Sequence, residues 1–261
     1  MAAPRPRPTE PVSAERHRLD QALVERGLAP SRAQAQAIIK AGHVRVGSRV
    51  SRKPAELVLD SDKVLVEGAQ AQYVSRGALK LKHALEHFTI DPRGLICVDI
   101  GASTGGFSQI LLEGKARKIY AIDVGHGQLA QTIADDPRVV PLEKLNVKDV
   151  SAAHVADAID LVVCDVSFIG LAKALPAALA LCAPGALLVA LIKPQFEVGR
   201  AHIGKGGIVR DEKEQRRVCA EIETWLNSQP GWEVQGIIES PIAGGDGNRE
   251  FLLAARKSGG I

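Results

Sequence analysis

The sequence is poor in aromatic side chains: two tryptophans, two tyrosines and five phenylalanines make up 3% of its 261 residues. A surface that holds single strands by stacking successive bases needs several exposed rings, so that kind of platform is not expected. Cysteine is scarce too. Cys97, Cys164, Cys182 and Cys219 form no CxxC pair, and three of them sit in apolar runs. They read as buried, reduced thiols of a cytoplasmic protein, with neither a disulfide framework nor a metal site. Long apolar runs are missing. The longest, Leu175 to Ile192, is interrupted by Pro184 and Gly185 and reads as a helix, a turn and a strand rather than a membrane span. The N-terminus lacks an apolar h-region. Pro4, Pro6, Pro8 and Pro11 alternate with arginines, so residues 1–17 read as a disordered tail and not a signal peptide.

What the chain does have is an uneven charge. Residues 1–68 hold 12 Lys+Arg against 8 Asp+Glu, whereas the remainder holds 21 against 22. Within 16–53, nine basic residues face only Asp20 and Glu25. A compact basic segment beside a neutral one suits a polyanionic partner, the alternative being a basic surface that serves solubility alone. Hydrophobic residues at 46% supply enough for a real core, and the length accommodates two domains.

Residues 18–68 read as one unit. Leu19, Ala22 and Leu23 have helical spacing, with Gly27 as a stop. Ser31 starts a second helix, Gln34 completes a capping box, and Gly42 ends it. Ala35, Ile38 and Ile39 form its buried stripe, while Arg32, Gln36 and Lys40 share the wet face. Short strands are expected at 44–46, 57–59 and 64–66, with Arg45, Arg49, Arg52 and Lys53 in the connecting loops. This order, in the stretch RLDQALVERGLAPSRAQAQAIIKAGHVRVG, resembles the S4 domain, a ribosomal-protein-type RNA-binding module. The resemblance implies that Arg32 and Lys40 contact phosphates, which position RNA without reading its sequence; a solvated helix face is the alternative. The candidate RNA-binding set is Arg18, Arg32, Lys40, Arg45, Arg49, Arg52 and Arg76.

Residues 69–74 read as a polar linker, and 75–256 as a second domain. Apolar strands at 96–100, 118–123, 160–165, 186–191, 234–239 and 251–255 alternate with helices near 105–114, 126–134, 170–182 and 211–228. Strand–helix alternation predicts an α/β doubly wound domain, Rossmann-like with a mostly parallel sheet. The first strand ends in Asp99-Ile-Gly101-Ala-Ser103-Thr-Gly105-Gly106-Phe107, a glycine turn that opens a helix. The spacing is not GxGxxG, and an acid before the turn suits a ligand with an amino group and no phosphates. Asp123 ends the second strand, where an acid accepts hydrogen bonds from ribose hydroxyls. Asp165 ends a third. Glycine turn and acids together point to S-adenosylmethionine; the alternative for each acid is a helix cap, which for Asp165 alone reads equally well. The candidate cofactor set is Asp99, Gly101, Ser103, Gly105, Gly106, Phe107, Asp123, Val124, Asn146 and Asp165.

The motif Asp165-Val-Ser-Phe168 is not the Asn/Asp-Pro-Pro-aromatic of enzymes that methylate base amines. Cys164 precedes the acid and points into the core, so no cysteine nucleophile is placed for a pyrimidine carbon. Lys193 leaves a buried strand, Lys80 lies before the first strand and Glu250 opens the last. With Asp165 these make a neutral set of four that can be buried if paired.

These stretches resemble the TlyA, or hemolysin A, family of FtsJ-type ribosomal RNA 2′-O-methyltransferases. SRGALKL, DIGASTGGFS, CDVSFI, KPQFEVG, GKGGIVRD and GNREFLL carry the resemblance, which covers about residues 18–256. It implies a seven-stranded sheet, a Lys-Asp-Lys-Glu catalytic tetrad at Lys80, Asp165, Lys193 and Glu250, and methylation of a cytidine ribose in the rRNA of ribosomal subunits. One departure is Arg249, where a small apolar residue is expected; it leaves Glu250 in place. A ribose hydroxyl is a poor nucleophile, so a base must take or share its proton. Lys193 is the candidate base or orienting group, Lys80 steers, and Asp165 and Glu250 hold both. Which lysine is neutral stays open, because the neighbouring ammonium and the carboxylates act in opposite directions. The loop Gly204–Gly207 is a basic lid or a plain connection. A membrane-active protein and a non-catalytic RNA-binding factor are the rival readings.

Overall fold

The structure, a computed structural model, describes residues 16–26, 28, 29, 32–66, 73–199, 202–244 and 247–259, and of residue 34 the backbone alone. The expected helix stop at Gly27, the capping box of Ser31 and Gln34, the tail before Arg16 and most of the linker lie outside the described residues. The chain divides into two compact units, residues 1–72 and 73–261.

The first unit runs β1 (Arg16–Arg18), α1 (Leu19–Glu25), α2 (Arg32–Ala41), β2 (Val44–Val46), β3 (Arg49–Ser51), β4 (Leu57–Leu59) and β5 (Val64–Val66). β1 pairs with β4, and β3-β2-β5 form a second antiparallel sheet. The stripes Leu19/Ala22/Leu23 and Ala35/Ile38/Ile39 are buried against Val44, Val58 and Val64, as helical spacing requires. Two strands depart from expectation. Arg16 and His17, assigned to the tail, pair with Leu59 and Val58. Arg45 and Arg49, expected in loops, stand in β2 and β3, because a two-residue turn at Gly47-Ser48 closes a hairpin in which Val46 faces Arg49. The segment Arg49-Val-Ser is short and its valine is exposed, so it shows no strand periodicity.

The second unit adds α3 (Gly77–His87), β6 (Ile96–Ile100), α4 (Gly106–Glu113), β7 (Lys118–Asp123), α5 (Gln131–Ala134), β8 (Val139–Glu143), β9 (Ile159–Cys164), α6 (Leu171–Ala174), α7 (Pro176–Ala180), β10 (Cys182–Ile192), α8 (Pro194–Glu197), α9 (Glu212–Asn227), β11 (Trp232–Glu239) and β12 (Phe251–Lys257). The strands form one seven-stranded sheet, ordered β11-β12-β10-β9-β6-β7-β8, in which β12 alone runs antiparallel to its neighbours. Central strands are apolar on both faces. Ile96, Val98 and Ile100 join one buried cluster with α6, α7 and α9, while Cys97 joins another with α3 and α4.

Strand β8, which the sequence does not announce, contains Pro141. An edge strand tolerates proline because one row of its backbone groups has no partner strand, and β8 is the sheet's edge. Nor does the sequence announce α3. The helix expected at 170–182 is two short ones, broken where Pro176 lacks the amide proton that would continue the first. The helix expected at 126–134 shrinks to Gln131–Ala134, behind turns at Gly125 and Gly127.

Helices α3 and α4 approach closely at Gly106. A methyl group there would lie 1.9 Å from Ser75 Oγ and 3.1 Å from the Ala78 amide nitrogen. Gly106→Ala is therefore expected to lower stability by about 1–3 kcal/mol, read as the urea midpoint, and Ser75→Ala in the same chain to recover part of it. A Gly106→Ala midpoint equal to wild type would show that the seam is not tight.

Candidate active site

The carboxyl ends of β6, β7 and β9 surround a cleft of about 490 Å³. Its floor is a crossing of two chain segments. Gly101 has φ +79°, and a side chain there would meet the Asp165 carbonyl oxygen at 2.7 Å. The Asp165 amide donates to Ile100 O at 2.9 Å, and the Gly101 and Ala102 amides both donate to Ile122 O. Three strand ends are thus tied by backbone alone. Asp123 ties them again: Oδ2 accepts from the Ser103 amide at 2.8 Å and Oδ1 from the Gly125 amide at 2.7 Å. Ser103 sits at φ +47° within this turn.

Of the candidate cofactor residues, Gly101, Ser103, Asp123, Val124, Asn146 and Asp165 line the cleft. Asn146 also caps the turn after β8, its Oδ1 accepting from the Lys148 amide at 3.1 Å. Four others lie outside the lining. Gly105 caps α4 at φ +93° against Leu129 and Ile133, Gly106 is in the helix seam, and Phe107 is buried in the apolar cluster. Asp99 is fully buried behind the turn; its Oδ2 accepts from Ser108 Oγ at 2.7 Å, and its Oδ1 has no hydrogen-bond partner among the described residues. Burial pushes its carboxyl up to about 7, with the Ser108 hydrogen bond opposing and Asp165 adding to the rise. Gln128, Leu145, Val147 and Ile169 also line the cleft and were not anticipated, being ordinary residues of loops.

Four segments deliver charge, and one of the four residues, Asp165, lines the cleft. Lys80 comes from α3, Asp165 from the end of β9, Lys193 from the end of β10 and Glu250 from the residue before β12. They form two ion pairs, Lys80 Nζ–Glu250 Oε2 at 2.5 Å and Lys193 Nζ–Asp165 Oδ1 at 2.6 Å. Lys193 also donates to Ser167 Oγ at 2.9 Å, and Gln195 to Glu250 Oε1 at 3.4 Å. Lys80, Lys193 and Glu250 are buried, so removing one partner strands a charge, at a cost of roughly 3–5 kcal/mol. Phe168, next to Ser167, is 89% exposed at φ +66°, and its ring lies 5.0 Å from that of Phe196. An exposed aromatic in left-handed backbone is a strained arrangement of the sort found at ligand sites. Cys164 is buried in the core, and burial raises its thiol pKa.

Loop 204–209 is held from below. Asn248, 1% exposed, accepts from the Val209 amide and donates to Gly207 O, both at 3.0 Å. Arg249 faces outward and bridges Glu239 and Glu212, bracing the start of β12 while its neighbour Glu250 points inward.

The remaining candidates are basic. Arg18 and Arg32 converge on Asp20. Arg45 donates to Ser48 O at 2.5 Å, Arg49 pairs with Glu56, Arg52 lies over Gly42 and donates to Lys40 O at 3.4 Å, and Lys40 is exposed. Arg76 belongs to the second unit and donates to Ala243 O at 3.2 Å.

Residues 73–257 match the family of FtsJ-like methyltransferases and residues 17–64 the S4 domain. The chain is 43% identical to the 16S/23S rRNA (cytidine-2′-O)-methyltransferase TlyA of Mycobacterium tuberculosis, over 93% of this chain and 91% of the relative. It is 41% identical to a protein named Hemolysin A from Brachyspira hyodysenteriae, over 90% and 98%. A solved Streptococcus thermophilus protein with a provisional hemolysin label superposes with a TM-score of 0.74 at 36% identity, over 94% of this chain and 90% of that one.

Asp99 makes stability depend on pH in a definite direction. With the folded pKa near 7, above the ordinary 3.8, its contribution is complete below about pH 4 and is lost as pH rises through 7, by roughly 4 kcal/mol. Asp99→Asn removes that dependence. The variant's unfolding free energy should gain on wild type between pH 4 and pH 8, as followed by urea denaturation; parallel pH profiles would contradict the assignment.

Proposed function

Because the chain belongs to the TlyA family of FtsJ-like methyltransferases, with an S4 domain ahead of the catalytic one, we propose that it transfers a methyl group from S-adenosylmethionine to a ribose 2′-hydroxyl of ribosomal RNA, at a cytidine. The observation that supports this reading is the pairing of buried Lys80 with Glu250 and of buried Lys193 with Asp165, which lines the cleft. Residues 18–68 take RNA, residues 75–256 carry the reaction, and the cytoplasm, where ribosomal subunits are found, is the place of action.

The donor set fits S-adenosylmethionine. Each Asp123 oxygen uses one acceptor site on a backbone amide and keeps another for a ribose hydroxyl. Leu145, Val147 and Ile169 give an apolar wall suited to a purine face. When bound, the cofactor supplies an electrophilic methyl group on a sulfonium.

This chain's residues then supply orientation and proton handling. Lys193 Nζ, held between Asp165 and Ser167, would orient the ribose hydroxyl as an ammonium, or take its proton once Lys193 is neutral. Lys80, fixed by Glu250, steers the nucleotide. Phe168 at the mouth offers a face to a nucleobase. No observation favours a membrane-active protein: among the described residues no helix is long and apolar enough to cross a membrane.

The test is methyl transfer from labelled S-adenosylmethionine to intact ribosomal subunits lacking the modification, with the product digested to nucleosides. A 2′-O-methylcytidine is expected. Lys193→Ala should lower turnover by about a hundredfold or more while cofactor affinity, measured by calorimetry, is retained. Label on a base would overturn the reaction, and retained turnover in the variant would overturn the role of Lys193.

A further inference from the structure

Asp20 is a carboxylate with no exposed surface, in the first turn of α1, within the most basic part of the chain. Its Oδ1 accepts from Arg18 Nε at 3.0 Å. Its Oδ2 accepts from Arg18 Nη2 at 3.1 Å, Arg32 Nε at 3.0 Å and Gln36 Nε2 at 2.8 Å. Four donors thus converge on one carboxylate, three of them on Oδ2. We propose that Asp20 is a positioning residue, whose buried carboxylate arranges Arg18, Arg32 and Gln36 into a preformed receptor for phosphate oxygens of the RNA backbone. This rests on the reading of the chain as an RNA-modifying enzyme.

Three features argue for a receptor rather than a stability contact. The cluster joins two guanidinium groups to one carboxylate and therefore keeps a net positive charge. Both arginines stay partly open, with side chains 38% and 52% exposed. Arg32 commits only its Nε to Asp20, and a guanidinium is a rigid plane of five N–H donors. Gripping one edge of that plane turns the remaining donors of both arginines away from the carboxylate, and these find no acceptor among the described residues.

The energetic consequence concerns timing. Ordering a free arginine costs up to about 2 kcal/mol of rotamer entropy. Here that cost falls on folding, so RNA meets donors already in place. Arg18 and the other donors hold the Asp20 carboxyl well below the usual carboxylate range, which keeps the grip intact wherever RNA is bound. Lys40, two helical turns from Arg32 on the same face of α2, extends the basic row.

The proposal opposes simple electrostatics and is tested on that ground. The full chain is titrated with unmodified large-subunit ribosomal RNA, transcribed in vitro, across a salt series. Asp20→Asn removes a negative charge beside the RNA-facing arginines, so unpositioned charge would bind more tightly and with a steeper salt dependence. Positioning demands the reverse: affinity about tenfold weaker and a slope of log K against log salt flatter by about one to two. Arg32→Lys, an exposed and charge-conserving change, serves if Asp20→Asn fails to fold. It is expected to lose nearly as much as Arg32→Ala, because an ammonium cannot keep one edge on Asp20 while presenting another. Unchanged or tighter binding by Asp20→Asn, or wild-type affinity in Arg32→Lys, overturns the proposal. A wild type that binds this RNA while both variants match it removes the proposal alone; a wild type that binds no RNA removes the underlying reading as well.

Discussion

A charge left alone in a protein interior costs several kcal/mol, and the catalytic unit is arranged around that fact. Lys80 and Glu250 are 170 residues apart in sequence, and Lys193 and Asp165 leave adjacent parallel strands. None of the three buried members is tolerable without its partner. The antiparallel insertion of β12 between β10 and β11 is what returns Glu250 to the edge where Lys80 waits. Ser167 accepts from Lys193, and Gln195 donates to Glu250. The same pairing that lets the charges be buried fixes their positions, Lys80 against Glu250 at 2.5 Å and Lys193 against Asp165 at 2.6 Å.

Around these pairs, side chains act chiefly on backbone. Asp123 holds the glycine turn and its own following loop, Asn248 holds the loop over residues 204–209, and Asn146 caps the turn after β8. Loops at the carboxyl edge of a parallel sheet carry ligand sites yet lack a regular ladder of their own. Polar side chains that accept from their amides supply the missing order. Asp99 differs, being buried with one oxygen unpartnered among the described residues, a local cost of the kind that collects where a ligand completes a site.

In both units an acid governs the display of basic groups. Asp20 gathers two arginines in the first unit, while Asp165 and Glu250 each fix one lysine in the second. The difference is exposure. The arginines remain half open to solvent, and the lysines are enclosed.

The sequence by itself determined the two-part division of charge, the helical stripes around Leu19 and Ile39, the alternation that makes a doubly wound sheet, and the glycine turn after Asp99. These are local, periodic signals, and periodicity survives in one dimension. Motif resemblance also singled out four charged residues that the structure shows as two ion pairs. Tertiary structure alone decided which lysine pairs with which carboxylate, since that depends on the strand order β12-β10-β9-β6 and not on spacing along the chain. It decided that Phe107 turns into the core while Phe168 stands in solvent, that Arg49 belongs to a strand, and that Pro141 is tolerated because β8 lies at the edge. Each of these rests on what a neighbouring segment occupies, and that is set only when segments remote in sequence pack together.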